Sequence, residues 1–278
     1  MKLCDLHTHS IFSDGTSSPK ELFSLAKEAG LSAVALTDHN TIAGIEFFLE
    51  EGKKFNIEAI PGVEISVDYN EKELHILALC IDEKHFDKVY DFLKIPRIRK
   101  EESNNLLAER LIKKGYIIDY NKLKSKYSGT LNRVHFALEL IKKGYVTSIK
   151  EAFDTVLSVK HGLYEQPKRY SVKEVIEFIT SINAVSVLAH PLLNLSKQEL
   201  VDFLPKAKEY GLMAIETRYS KYCKEEQKFC TQCAKLFGLL ESGGSDFHGE
   251  NKPDIKIGLG QGDLQVPYEF LSKMKNSI

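Results

Sequence analysis

The sequence predicts an α/β protein, a (β/α) barrel that carries a helical insertion. Segments with the pattern of a buried strand alternate with segments of helical periodicity, which is typical of a parallel sheet covered by helices. Ligand-type side chains follow nearly every predicted strand, as they do at the active-site end of such barrels. Between the two alternating halves lies a long segment in which no strand pattern is apparent.

The first half begins with a strand, followed by a helix whose start and stop are both marked. Ser18 and Glu21 have the spacing of a capping box, and Gly30 can end the helix. Pro61-Gly62 is expected to interrupt the third strand. The predicted strands are 3–6, 32–36, 58–65 and 74–79, and a second helix is predicted from about 41 to 52.

The second half returns to the same alternation. Ser171 and Ser196 are each followed three residues later by glutamate, so each is predicted to open a helix. The predicted strands are 184–188, 213–216 and 239–242. Repeated strand–helix units predict that the strands are parallel.

The intervening segment is predicted to be a helical insertion domain over 97–169, which leaves 1–96 and 170–278 for the barrel. It holds a near-repeat, Leu-Ile-Lys-Lys-Gly-Tyr, at 111–116 and 140–145, and each copy resembles a helix end closed by glycine. The insertion has 16 Lys+Arg and 8 Asp+Glu, against 22 and 31 in the remainder. A basic insertion beside an acidic barrel would suit an anionic substrate, although a solvated lysine-rich surface explains most of these lysines.

Composition excludes several classes of protein. The chain has 278 residues and a net charge of −1. It contains no apolar run of about 18 residues, so no membrane span is expected, and no basic-then-apolar leader, so a cytoplasmic location is expected. Five scattered cysteines do not indicate a disulfide framework. Cys230 and Cys233, with Cys223 nearby, could hold zinc, but a helical pattern over 222–237 favours ordinary helix cysteines.

Histidines and carboxylates cluster at the predicted strand ends. His7 and His9 can face one point, because residues i and i+2 of an extended chain project to the same side. A lone His-x-His pair is more often a surface feature, but the joint placement of ten such residues indicates metals. Imidazole and carboxylate without thiolate suit manganese, zinc or iron. The ten residues are His7, His9, Asp14, Asp38, His39, Glu64, His75, His190, Asp246 and His248.

Five ordered motifs resemble those of the PHP family (polymerase and histidinol phosphatase), and the resemblance spans the whole chain. It implies a distorted seven-stranded (β/α) TIM-like barrel that holds two or three divalent metal ions. The motifs are Asp-Leu-His-Thr-His at 5–9 with Asp14, Thr-Asp-His at 37–39, Pro-Gly-Val-Glu at 61–64, Ala-His-Pro at 189–191 and Ser-Asp-Phe-His at 245–248.

The resemblance also implies which residues hold the metals. Glu64 would bridge two ions, and Asp38 would support the ligands without being one. The implied sets are His7, His9, Glu64 and Asp246 for one ion, Glu64, His75 and His190 for a second, and Asp14, His39 and His248 for a third.

Within the family, Pro-Gly-Val-Glu-Ile-Ser at 61–66 and the insertion resemble the nucleotide-phosphoesterase branch, which includes the RNA 5′-end exonuclease RNase AM. The expected reaction is hydrolysis of a 3′,5′-bisphosphate nucleotide or of the 5′ end of a short RNA. A metal-bound hydroxide would be the nucleophile, so no catalytic side chain is predicted. No membrane and no obligate protein partner are expected.

Phosphate also needs a clamp of protein side chains, and the planar fork of arginine suits it. Arg133 and Arg218 are the candidates, with His135 beside Arg133. A helix-surface salt bridge is the ordinary alternative for Arg133. His85 and His161 are expected to be surface residues. Histidinol-phosphate phosphatase remains an alternative function, as does a non-catalytic metal-binding module. A metal-dependent amidohydrolase also begins with His-x-His, but it often has a modified lysine where Glu64 stands here.

Overall fold

The computed structural model describes residues 2–127, 131–160 and 162–278. The chain divides into two compact units. The first comprises Met1–Asp91 and Arg169–Ile278, and the second comprises Phe92–Lys168. In the described part of the chain, no helix is both long and apolar enough to cross a bilayer.

The first unit is built on a sheet with the strands β1 (Cys4–Asp5), β2 (Ala33–Leu36), β3 (Glu58–Tyr69), β4 (Lys72–Leu79), β5 (Tyr170–Ser171), β6 (Val185–Leu188), β7 (Ala214–Tyr219) and β8 (Leu240–Gly244). Seven of these strands are joined in the order β1-β2-β3-β4-β6-β7-β8, and the short β5 pairs with β3. The sheet curls so that its first and last strands meet. Leu6 donates its backbone N–H to the Gly243 carbonyl at 3.1 Å, and Thr8 bridges Phe247 in parallel. The predicted distorted seven-stranded barrel is confirmed.

The prediction that all strands are parallel is wrong for β4, which is antiparallel to both β3 and β6. The cause is a two-residue hairpin turn. Tyr69 pairs with Lys72, and the intervening Asn70 and Glu71 have φ of +50° and +64°. Two successive positive φ angles are the mark of a type I′ turn, which joins only antiparallel strands.

Pro61-Gly62 does not interrupt β3, contrary to expectation. β3 pairs with β2 as far as Pro61, opposite Leu36, and with β4 from Gly62 onward. Pro61 therefore lies where the strand changes partner, and its missing N–H removes no bond from the interior of a ladder.

Helices cover the outer face of the barrel, and their starts follow the sequence markers. Capping boxes are present at Ser18, Ser171 and Ser196. The second helix begins at Ile45 rather than near Thr41, because the Thr41 hydroxyl accepts the Ala43 N–H at 3.2 Å and holds a turn there. The helices of this unit are α1 (Pro19–Glu28), α2 (Ile45–Phe55), α7 (Val172–Ser181), α8 (Lys197–Glu209), α9 (Lys224–Phe237) and α10 (Tyr268–Lys275).

All the regular elements among the described residues of the second unit are helices. It contains most of α3 (Phe86–Lys113), with α4 (Tyr120–Ser125), α5 (Arg133–Lys142) and α6 (Ile149–Asp154). Leu107, Leu111, Phe136 and Leu140 belong to its apolar core. Both copies of the near-repeat end a helix, and the glycine of each, at 115 and 144, has positive φ, as expected for helix termini.

Candidate metal centre

Glu64 lies at the middle of the histidine cluster. Its side chain is fully buried on β3, and five imidazoles approach its two oxygens. Oε2 of Glu64 lies 3.2 Å from His7 Nε2, 3.1 Å from His9 Nε2 and 3.1 Å from His39 Nδ1. Oε1 lies 2.7 Å from His75 Nδ1 and 3.0 Å from His190 Nε2. One carboxylate thus joins the residues predicted for three different sets of ligands.

Two more carboxylates complete the cluster. Asp246 Oδ1 lies 3.4 Å from His9 Nε2, and Asp14 Oδ1 lies 3.3 Å from His248 Nε2. His39 Nε2 is 3.8 Å from the other oxygen of Asp14. The structure therefore brings all nine predicted ligands together at one end of the barrel.

The cluster has one more open side. The side chains of His39, Asp14 and His75 are 21%, 19% and 17% exposed, whereas His9 and Glu64 are fully buried. A substrate that reaches the cluster from solvent would meet the first three residues.

These residues fit divalent metal ions. Several buried ligand atoms lie close to one another but make no hydrogen bond of suitable geometry: Nε2 of His7, both ring nitrogens of His9, Oε2 of Glu64 and Nδ1 of His75. Buried polar atoms in folded proteins nearly always have partners, and cations bound within the cluster would supply them. Among the described residues, four overlapping groups of ligand atoms lie close enough to share an ion: His9, Asp14, His39 and His248; His7, His9 and Asp246; His7, Glu64 and His190; and His39, Glu64 and His75.

Burial and neighbouring charges shift the pKa values of the clustered residues. Burial lowers the pKa of His9 and His75, but neighbouring carboxylates outweigh it and raise these values to about 9 and about 10. Glu64 and Asp246 respond in the opposite direction, because the adjacent histidines hold their pKa well below the usual range despite burial. A divalent cation that binds here must displace protons from imidazoles.

Asp38 lies beside the ligands and organises the loop that follows β1. It accepts the backbone N–H of Ser10 at 2.8 Å and the hydroxyls of Ser10 and Ser13, each at 2.6 Å. Both serine hydroxyls are therefore fixed by one carboxylate. Burial is the largest influence on Asp38 and raises its pKa despite these hydrogen bonds.

Sequence analysis missed three residues that contact the cluster. Glu216 on β7 accepts from His7 Nδ1 at 3.1 Å and from the His190 backbone N–H at 2.6 Å. The Tyr219 hydroxyl and the Lys252 ammonium donate to Asp246 Oδ2 at 2.9 and 2.7 Å. Glu216 could have been identified from the sequence, because it is a carboxylate at the end of a predicted strand. Lys252 lies in a loop with no motif.

Arg218 is placed away from the histidines. Its guanidinium donates to the Thr231 hydroxyl on α9 at 3.0 Å and lies 3.8 Å from Glu241. In a regular strand Glu216 and Arg218 would face the same side. The register of β7 against β8 shifts between them, so Glu216 faces the cluster while Arg218 contacts the outer helix layer.

Arg133 and His135 lie in the second unit at the start of α5. The Arg133 guanidinium lies over the rings of Phe153 and Tyr164, 4.8 and 4.5 Å from their centroids. His135 is buried, and its Nδ1 accepts the Asn132 N–H at 2.9 Å. Each side chain thus has a packing role within its own unit.

Of the remaining candidates, His85 is half-buried, and His161 lies outside the described residues. Cys230 and Cys233 are buried on α9, while Cys223 is exposed. Burial raises the pKa of Cys230 to about 12, which disfavours the thiolate that metals bind. No potential metal-binding group among residues 2–127, 131–160 and 162–278 includes a cysteine.

Gly244 is required by the close approach of β8 to His7. A Cβ at this position would lie 2.3 Å from His7 Cβ and 2.5 Å from its backbone nitrogen. We expect Gly244→Ala to displace His7 and to reduce hydrolysis of the expected phosphoester substrate about 10²-fold, measured as kcat/KM. Gly30→Ala is the control, because its Cβ would meet nothing within 4 Å although its φ of +69° is strained. Equal activity losses in the two variants would contradict this explanation.

Comparison with known proteins identifies the family. A family model for the PHP domain matches residues 5–182, more than half of the chain. The chain belongs to the PHP domain family. Among its relatives are a 5′-3′ exoribonuclease of Haemophilus influenzae, 32% identical over 89% of this chain and 90% of the relative, and the 5′-3′ exoribonuclease Rnm of Escherichia coli, 32% identical over 91% and 87%.

A 3′,5′-nucleoside bisphosphate phosphatase of Chromobacterium violaceum is 24% identical over 90% of both chains. The crystal structure of a proposed metal-dependent phosphoesterase from Bifidobacterium adolescentis has a TM-score of 0.85 and 25% identity, and covers 98% of this chain and 95% of that one. The predicted family and branch are confirmed, and so is the enzyme class: a metal-dependent phosphoric ester hydrolase.

Proposed function

We propose that this enzyme hydrolyses phosphate esters at the end of nucleotides, either a 3′,5′-bisphosphate nucleotide or the 5′ end of a short RNA. The observation that carries the proposal is the similarity to two exoribonucleases over about nine tenths of each chain. The nucleoside bisphosphate phosphatase supports the same substrate class. The substrates of these relatives share a nucleotide phosphate, which the clustered ligands would bind through cations.

We propose the nine clustered residues as ligands for two or three ions, with manganese, zinc and iron as candidates. His7, His9, Glu64 and Asp246 would hold one ion, Glu64, His75 and His190 a second, and Asp14, His39 and His248 a third. When bound, such ions would polarise the phosphoryl oxygens and lower the pKa of the attacking water.

The chain's own residues position these ligands and hold the nearby serine hydroxyls. The hydroxyls of Ser10 and Ser13 both donate to Asp38, so neither is paired with a histidine that could serve as its base. Tyr219 and Lys252 both donate hydrogen bonds to Oδ2 of Asp246, whereas Oδ1 faces His9. We propose that Tyr219 and Lys252 act by fixing Asp246, and that Asp38 acts by fixing the loop that carries His9 and Asp14.

For phosphate contacts outside the cluster we propose Arg133 and His135, and not Arg218, whose guanidinium contacts Thr231 and Glu241. Residues 92–168 contain 16 Lys+Arg and 8 Asp+Glu, a balance that suits a polyanionic substrate. We propose that these residues form an insertion domain that contributes to RNA binding.

The test compares phosphate release from four substrates with added manganese: adenosine 3′,5′-bisphosphate, AMP, histidinol phosphate and a short 5′-phosphorylated RNA, for which released mononucleotide is also measured. We expect hydrolysis of the bisphosphate or the RNA to exceed that of histidinol phosphate by about 10²-fold or more in kcat/KM. His9→Ala should abolish it. A higher kcat/KM for histidinol phosphate than for the bisphosphate and the RNA would contradict the proposed substrate class.

A further inference from the structure

We propose that Glu216 is a positioning residue that holds two ligands, His7 and His190, in the orientation needed to bind metal. The inference rests on the proposed metal centre and adds a residue that is not among its nine ligands. Glu216 is fully buried on β7, a strand that pairs with β6 on one side and β8 on the other. The end of β6 supplies His190, and β8 separates β7 from the end of β1, which supplies His7.

The first contact fixes the tautomer of His7. Nδ1 of His7 lies 3.1 Å from Glu216 Oε1. A carboxylate can only accept, so Nδ1 must carry the hydrogen. The lone pair of the neutral ring is then on Nε2, which lies 3.2 Å from Glu64 Oε2 and has no hydrogen-bond partner. Glu216 thus presents to the centre the nitrogen that a metal requires.

The second contact holds the backbone of His190. Glu216 Oε2 accepts the His190 N–H at 2.6 Å. His190 has a φ of +27°, a conformation that is costly for a residue with a side chain. The hydrogen bond to a buried carboxylate offsets part of this cost. In this conformation the His190 ring places Nε2 3.0 Å from Glu64 Oε1.

Both oxygens of Glu216 accept hydrogen bonds from N–H groups of proposed ligand residues, which suits a positioning role. Within the described ranges, none of the groups of ligand atoms that could share an ion contains it. The shift of register after Glu216 also separates it from Arg218, so its carboxylate faces the centre without a compensating arginine on the same strand.

The test is the affinity for manganese of metal-free Glu216→Gln, measured from the EPR signal of free Mn²⁺ during titration. Glutamine keeps the shape of the side chain but has a single acceptor oxygen. Its NH₂ group would therefore face one of the two N–H groups, and that hydrogen bond would be lost. We expect the dissociation constant to rise about 10–100-fold. Glu241→Gln is the matched control: Glu241 lies on the neighbouring β8 and accepts from the Thr231 hydroxyl at 2.7 Å. The affinity of Glu241→Gln for manganese should equal that of the wild type.

Two further measurements separate positioning from general stability. In the zinc-loaded protein labelled with ¹⁵N-histidine, His7 should show a protonated Nδ1 that is lost or strongly shifted in Glu216→Gln. Glu216→Asp retains the charge and should bind manganese with intermediate affinity, which keeps the test open if the glutamine variant does not fold. Wild-type affinity in either variant, even with a lower thermal midpoint, would overturn the proposal. None of these readouts needs a substrate, so failure of the proposed function would be seen separately.

Discussion

Glu64→Gln is expected to reduce kcat/KM for phosphoester hydrolysis by about 10³-fold or more, equivalent to ~4 kcal/mol of transition-state stabilisation. Five imidazole nitrogens lie within 3.2 Å of the Glu64 carboxylate. Glutamine preserves the volume of this fully buried side chain but removes its charge and one acceptor. The shared contact between proposed ligand sets would be lost, together with affinity for more than one ion. Steady-state kinetics on the preferred substrate measures the effect.

Glu58→Gln is the matched control for this variant. Glu58 lies on the same strand, six residues earlier, and its carboxylate accepts the Tyr268 hydroxyl at 2.5 Å and the Lys275 ammonium at 2.5 Å. It is not part of the histidine cluster, so its activity should stay within about twofold of wild type. A Glu64→Gln enzyme that retains a tenth of wild-type activity would contradict the central role given to this carboxylate.

Removal of metal is expected to abolish activity and to lower the thermal midpoint by about 5 °C or more. Bound ions would satisfy the unpaired nitrogens of His7, His9 and His75. Without them these buried groups depend on protons and on the carboxylates. The measurement is activity and thermal unfolding after treatment with a strong chelator followed by its removal.

Re-addition of manganese, zinc or ferrous iron to the chelated enzyme should restore both activity and stability, and the most effective ion indicates the native one. Gly30→Ala, which leaves the cluster intact, should show the same drop in midpoint on chelation as wild type. Full activity in the rigorously metal-free enzyme would contradict metal dependence.

The sequence was sufficient to predict the barrel and to propose the ligands because both depend on short-range patterns. His7 and His9 lie two residues apart at the end of a strand, and the ends of successive strands meet at one face of a barrel. The starts of α1, α7 and α8 were predictable because each capping box is complete within four residues.

The β3–β4 hairpin was missed because its turn, Asn70-Glu71, places a glutamate at a positive φ of +64°. Glycine usually occupies the second position of such a turn. The antiparallel register holds this uncommon residue in place through seven pairs that precede the turn-closing pair of Tyr69 and Lys72. Tertiary pairing here outweighed the local preference.

The residues that support the ligands could not be found from spacing. Glu216 contacts His7 across 209 positions of sequence, and Lys252 contacts Asp246 from an irregular loop. The position of Arg218 could not be predicted, because it depends on the register shift in β7. The regular alternation of side chains along a strand does not reveal such a shift. Such contacts follow from the closed barrel and not from any local motif.

The most direct measurement is the number of metal ions bound per chain, determined by elemental analysis, in wild-type enzyme and in Glu64→Gln, with phosphoester hydrolysis recorded on the same samples. We predict two or three ions in the active wild-type enzyme and at least one fewer in the inactive variant, because Glu64 contacts histidines of all the proposed sets. An inactive variant that binds as many ions as wild type would contradict the role of Glu64 as the shared carboxylate of the centre.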